Sequence, residues 1–521
     1  MNDPLPRVTY ANTGVDLSAL HDHLDDVLPG FKSRTFGRHW PNLIGGAPDE
    51  TGSRYQVITP IDGRTPIGSF MQASPAAVDR AVRVAADAFP AWASTPWQTR
   101  LARIERWGGE LEAIKYDLAL AVLEEVGKSR AESVGEVEEC LDMIRYYCSE
   151  MRRNDGFVVP MKRAFAREET VDLLRPHGVF GVISPFNFPL ALSVGMLTGA
   201  LLTGNTVVFK PARGCALGAQ LLVRSLAKAG VGAEANLVAG DDSVGRAIVA
   251  HPMLAGIAFT GSHEAGMAIF RAMNGGAFAR PVIAEMGGKN PAYVSRHADL
   301  DVAAEGVARS AFGLQGQKCS ACSVAYVDAA VKDAFLERLI GFTDTLVIGN
   351  PEHRSVFLGP LYDEAADVRH AASVDTARRD GAVRYGGGRV EPADVGGGFY
   401  RQPAIVEVPP GHRLTKDELF IPFLAVCGYD ALGDAIRHGN DVPYGLTAGI
   451  YTADDGELER FLASAQAGAL YANRRSGATT GAWPGIQSFC GWKGSGVSQK
   501  GGLGPHYLQQ FMREQSHTLM R

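Results

Sequence analysis

From Val179 to Thr260 the chain alternates short β-branched runs with apolar helical stretches, and this alternation restricts the fold more than any other feature. Val179–Ile183 reads as strand, 190–202 as helix, Thr206–Lys210 as strand and 217–229 as helix. The segments 235–238, 243–250 and 257–260 continue as strand, helix and strand. Such β-α-β order predicts a doubly wound parallel sheet crossed by helices. A second alternating set from Pro291 to about Gln466 predicts another α/β unit. With 521 residues the chain exceeds a single ordinary core, so two or three domains are expected.

Outside these sets the signals change. Ser74-Pro75 is a helix start, and apolar spacing of three and four predicts helices at 76–89, 98–116 and 118–151. Residues 1 to about 55 read as irregular, being rich in Pro, Gly and Asp. Residues 156–179 interleave β-type and charged residues, which predicts a protruding ribbon, and the tail from Tyr507 is a strand that could pair with another. The stretch from Ser184 to Phe209 carries no charge and is long enough to cross a bilayer. Pro189, Gly195, Gly199 and Gly204 interrupt it, so a buried helix and strand fit better than a span.

Composition narrows the partner. Hydrophobic residues at 46% and charged residues at 21% describe a globular chain, and a net charge of -6 argues against nucleic acid or an anionic membrane. A small molecule is the expected partner. Seven scattered cysteines fit a reducing, cytoplasmic compartment, and none has metal-ligand spacing, so no metal site is expected. The first ten residues lack a basic start followed by an apolar stretch, so no secretory signal is expected.

Three short segments carry candidate chemistry. Cys319 lies in a Gly-rich polar loop after an apolar helix, where an exposed thiol could attack a carbonyl; alternatively it is a loop cysteine of no function. Glu285 precedes two glycines that allow close approach of ligand and backbone, although a surface turn acid would look the same. Asn187 follows a buried strand, placed either to donate to an oxyanion or simply to make a turn.

The strings PFNFP, GNTVVFKPA, FTGSHEAG, EMGGKNP, GQKCSA, KDELFIPFL, PYGLTAGIY and FCGWKGSG occur in one order along the chain. On these motifs, from about Pro60 to Gln515, the sequence resembles the aldehyde dehydrogenase superfamily. The resemblance implies a Rossmann-like cofactor domain, an α/β catalytic domain and a small β-ribbon oligomerisation element. The implied division is 1–155 and 179–288 for the cofactor domain, 156–178 for the ribbon and 289–485 for the catalytic domain. Residues 486–521 would be a C-terminal return and oligomerisation strand, and the chain at least a homodimer. Cys319 would be the nucleophile, Asn187 and the Cys319 N–H the oxyanion hole, and Glu285 the base that hydrolyses the thioester. Relatives that pass the acyl group to coenzyme A usually lack this glutamate, so its presence implies release of the acid. The implied cofactor is NAD or NADP, held by Lys210, Gly245, Thr260, Gly261, Ser262, Glu418 and Phe420. The family commonly has a carboxylate three residues after the lysine, where this chain has Arg213, which either attracts a 2′-phosphate or points to solvent.

Within the superfamily the chain most resembles the 1-pyrroline-5-carboxylate (glutamate semialdehyde) dehydrogenases, through GQKCSACS, LYANR, TGA and GGLGPHYL. That resemblance implies that Ser320, Gly481 and Ala482 receive a substrate carboxylate, Glu132 its amino end, and Phe188 and Phe489 its aliphatic chain. The loop from Asn473 to Gly491 departs by being longer, by Trp483, and by Cys490 where a glycine is usual. Another acidic or aromatic aldehyde is therefore the alternative substrate, and a non-catalytic relative the remaining one.

Overall fold

A computed structural model describes residues 5–9, 16–475 and 482–521. Five helices precede the first crossover unit: α1 (Ser18–Thr35), α2 (Pro75–Ser94), α3 (Trp97–Ala113), α4 (Lys115–Val126) and α5 (Arg130–Arg153). α2 starts as the sequence implies, with the Ser74 side chain accepting the Ala77 N–H and Pro75 in the first turn. α1 corrects the expectation of an irregular N-terminal region. Leu20, Leu24 and Phe31 fall on one face and are buried, which outweighs Pro29 within the helix. The single helix expected over 118–151 is two, because Gly127 adopts a left-handed conformation (φ 78°) and Ser129 caps a new start.

The next helices are α6 (Ala191–Leu202), α7 (Ala216–Lys228), α8 (Asp242–Ala250), α9 (His263–Asn274) and α10 (Leu300–Phe312). Every residue of α6 except the half-buried Leu192 is buried, which accounts for the uncharged stretch without a membrane. Among the described residues no helix is long and apolar enough to cross one.

Two seven-stranded sheets form the frame. In the first, Val282–Glu285, Leu254–Thr260, Val179–Ile183, Thr206–Lys210 and Ala235–Leu237 lie side by side and parallel. The antiparallel strands Asn42–Ile44 and Ala47–Asp49 complete its edge. Strand order reverses between Val179–Ile183 and Leu254–Thr260, which opens a crevice at their carboxyl ends. The second sheet runs Ala382–Gly386, Ala404–Glu407, Phe423–Tyr429, Cys322–Asp328, Asn290–Val294, Thr447–Tyr451 and Ala469–Ala472. All its pairings are parallel except that of Ala382–Gly386. The ribbon is also present: Glu168–Pro176 pairs antiparallel with both Val158–Pro160 and the C-terminal strand Met512–Met520.

Candidate active site

Cys319 lies between α10 and the strand Cys322–Asp328. The expectation of an exposed loop is corrected here. Residues 313–317 are buried, Cys319 is half-buried, and Leu314 and Gln315 hold left-handed conformations (φ 50° and 54°) that side chains rarely adopt. Asn290, which sequence reasoning did not single out, pins the loop: its Nδ2 donates to the carbonyls of Cys319 (2.7 Å) and Ala321 (3.0 Å). Asn187 Nδ2 donates to the Gln317 carbonyl at 2.9 Å, which commits one of its two N–H donors two residues before Cys319. Burial, then the charges of Glu285 and Glu418, push the Cys319 thiol up, so it rests protonated.

Glu285 ends its strand in register with Thr260 of the neighbouring strand. Its Oε1 accepts the Gly502 N–H at 2.8 Å, so the Gly-Gly-Leu-Gly segment from 501 to 504 fixes its orientation. Burial pushes its carboxyl up to about 7, against the opposing effect of that hydrogen bond. A carboxyl with that value exchanges protons near neutrality.

The same cavity is lined by Cys319, Ser320, Glu285, Phe188, Ala482 and Phe489, so these sequence-predicted residues are brought together. Glu132 is not on its wall; its Oε1 accepts from Lys318 Nζ at 2.9 Å, and it is Lys318 that faces the cavity. Gly481 lies outside the described residues. Sequence reasoning missed the α5 wall made by Glu139, Met143 and Tyr147. Their spacing of four places them on one face of the helix, a signal the sequence does contain.

A buried brace stands behind this wall. Lys128 Nζ donates to Glu136 Oε2 at 2.6 Å and lies 3.5 Å from the centre of the Phe188 ring. Glu136 Oε1 accepts the N–H groups of Leu190 (2.8 Å) and Ala191 (3.1 Å), and so caps the start of α6, a few residues after Asn187. Glu125, raised to about 8 by burial, likewise accepts from Leu217 (2.6 Å) and Gly218 (3.0 Å) at the start of α7.

The crevice of the first sheet gathers the residues expected to meet the cofactor. Lys210 ends its strand buried, its ammonium pushed down by burial and donating to the Pro211 carbonyl at 3.1 Å. A Cβ at Gly245 would lie 3.5 Å from the Lys210 side chain, so α8 passes close to it. Ser262 caps α9 by accepting the Ala265 N–H, which leaves Thr260 and Gly261 leading into a helix N-terminus. Arg213 is exposed, with its guanidinium 4.8 Å from the Tyr55 ring centre. Across the crevice, Glu418 Oε1 accepts the Gly288 N–H at 2.9 Å, and Phe420 is held left-handed (φ 57°) with its ring edge against Phe186.

The sequence from 47 to 517 matches the family model described as aldehyde dehydrogenase family. The chain belongs to the aldehyde dehydrogenase family. Among family members, it is 33% identical over 492 residues to a 1-pyrroline-5-carboxylate dehydrogenase of Bacillus cytotoxicus, covering 93% of each chain. It is similar to the solved 1-pyrroline-5-carboxylate dehydrogenase from Thermus with bound NAD, with TM-score 0.92 and 30% identity over 100% of this chain and 99% of that one. It also resembles proline utilization A from Bdellovibrio bacteriovorus, with TM-score 0.91 and 30% identity over 96% of this chain and 52% of that chain.

Proposed function

We propose that this aldehyde dehydrogenase oxidises L-glutamate γ-semialdehyde, the open form of 1-pyrroline-5-carboxylate, to glutamate with NAD or NADP. The observation that carries the reading is one cavity holding Cys319, Glu285 and Ser320, with the Asn187 amide against the Cys319 loop. The names of the Bacillus and Thermus relatives point to the same substrate.

In this reading Cys319 gives its thiol proton to solvent water, and the thiolate Sγ bonds to the aldehyde carbon as the C=O π pair moves onto oxygen. Asn187 and the Cys319 N–H donate to the oxygen, which carries the developing negative charge. The donors of the crevice fit a dinucleotide: the start of α9 after Gly261 suits a pyrophosphate, Lys210 and Glu418 suit ribose hydroxyls, and Phe420 suits a ring. When bound, the dinucleotide takes up the hydride lost from the carbon as the thioester forms. Glu285 then accepts a proton from water, the water oxygen adds to the thioester carbon, and the C–S bond breaks to give acid and thiol. Ser320 and Ala482 receive the distal carboxylate, and Phe188 and Phe489 flank the aliphatic segment. Glu132 acts on the amino end through its pairing with Lys318.

The ribbon and its C-terminal partner strand extend to a second copy, so the working unit is at least a homodimer. All seven cysteines are free thiols, which suits the cytoplasm. The test is a panel of acidic, aliphatic and aromatic aldehydes with both cofactors, alongside Cys319→Ala. Turnover is highest on glutamate semialdehyde, and Cys319→Ala binds cofactor without reducing it. Preference for simple alkanals would remove the substrate assignment, and turnover by Cys319→Ala would remove the mechanism.

A further inference from the structure

Trp483 stands in the loop where this chain departs from its resemblance group, and its side chain is buried. Its indole Nε1 donates to Asp142 Oδ2 of α5 at 2.6 Å. The Trp483 carbonyl accepts the N–H groups of Ile486 (2.9 Å) and Gln487 (3.3 Å), closing a tight turn. Gly485 takes φ 76° within it, where a Cβ would lie 2.8 Å from the Tyr146 ring, so the turn sits hard against α5. Gln487 Nε2 ties the far side to the Leu470 carbonyl at 2.8 Å.

The two ends of this turn form wall of the aldehyde cavity: Ala482 on one side and Phe489 on the other. α5 also lines the cavity, through Met143, which follows Asp142 directly. Asp142 is also met by Arg7 and by Arg145 Nη1 (3.0 Å), which hold its carboxylate in place. The Trp483–Asp142 hydrogen bond therefore joins the turn to α5 at the end of the cavity built from Ala482.

We propose that Trp483 and Asp142 are a positioning pair that fixes the turn from 482 to 489 against α5 and thereby sets affinity for the remote, carboxylate end of the aldehyde. Neither side chain touches the reacting atoms. The proposal rests on the aldehyde-oxidising reading above, and a hydrogen bond to a charged acceptor is strong enough to shift binding by one to two powers of ten.

The experiment measures kcat and KM of the full-length enzyme for glutamate semialdehyde and for propanal, with melting temperatures. Trp483→Phe keeps the ring and removes the N–H; Asp142→Ala removes the acceptor; Asp142→Asn keeps an acceptor oxygen. The first two each raise KM for the semialdehyde about tenfold to a hundredfold while kcat stays within about twofold. Propanal, too short to reach the turn, is oxidised as by the parent. The double variant is no worse than either single one, and Asp142→Asn retains most of the affinity. Unchanged semialdehyde KM in both single variants overturns the proposal, as does an equal loss on both aldehydes accompanied by a lower melting temperature. A parent enzyme inert toward both aldehydes overturns the aldehyde reading, and the pair falls with it.

Discussion

Glu285 gives the sharpest test of the chemistry. Its carboxyl is pushed up to about 7, so its base form is filled over the pH range in which such enzymes are usually assayed. A group with that value is about one-tenth ionised at pH 6 and about nine-tenths at pH 8. Thioester hydrolysis should therefore rise about tenfold between those values and level off above. The direction follows from the sign of the shift: a raised carboxyl loses its proton late, so base catalysis is gained on going to higher pH. Glu285→Gln keeps an oxygen to accept the Gly502 N–H but cannot accept a proton from water. Losing a general base slows hydrolysis by about 10²- to 10⁴-fold. It also removes the stronger of the two negative charges acting on Cys319, so the thiol ionises more readily and the first step is retained. Rapid-mixing absorbance should then show a burst of one NAD(P)H per active site followed by a nearly flat phase. Steady-state turnover within tenfold of the parent, loss of the burst, or a rate independent of pH from 6 to 8 would each refute this assignment.

Two further perturbations probe the scaffold and the cofactor. Lys128→Met strands the Glu136 charge in a fully buried site and should cost about 3–5 kcal/mol in urea unfolding, with most of it recovered in Lys128→Met/Glu136→Gln; a single variant as stable as the parent would contradict the brace. Arg213→Glu should lower kcat/KM for NADP at least about tenfold relative to NAD by replacing attraction for a 2′-phosphate with repulsion. A parent value for NADP a hundredfold below that for NAD would show that Arg213 does not serve this role.

The crossover units were legible because each strand is short, β-branched and bounded by turn residues, and each helix carries an apolar face. The catalytic candidates were legible only through the ordered motifs around them, since Cys319, Glu285 and Asn187 each read locally just as well as an ordinary loop or turn residue. α1 was hidden by Pro29, and the division between α4 and α5 by a helical pattern that continues through Gly127. The cavity-facing stripe of α5 escaped notice because Met143 and Tyr147 on a helix read alike whether they face a core or a pocket. The pairing of Glu132 with Lys318 was not legible, because the two lie far apart along the chain and local spacing carries no record of it.

The elbow between α4 and α5 explains how one frame can hold fixed chemistry and an adjustable pocket. Glu125 and Glu136, on either side of it, cap α7 and α6, the helices that follow the strand end bearing Lys210 and the loop bearing Asn187. Both caps are buried glutamate side chains accepting backbone N–H groups, so neither segment can shift without stranding polar groups away from water. The same α5 then offers Asp142 to Trp483, in a turn separate from the brace and held by its own hydrogen bonds to α5 and to the Leu470 carbonyl. Changes in that turn can reshape the end of the cavity built from Ala482 while Asn187 and Cys319 keep their relation. Substrate choice in this chain is accordingly expected to vary at residues 482–489 before it varies at the oxyanion site.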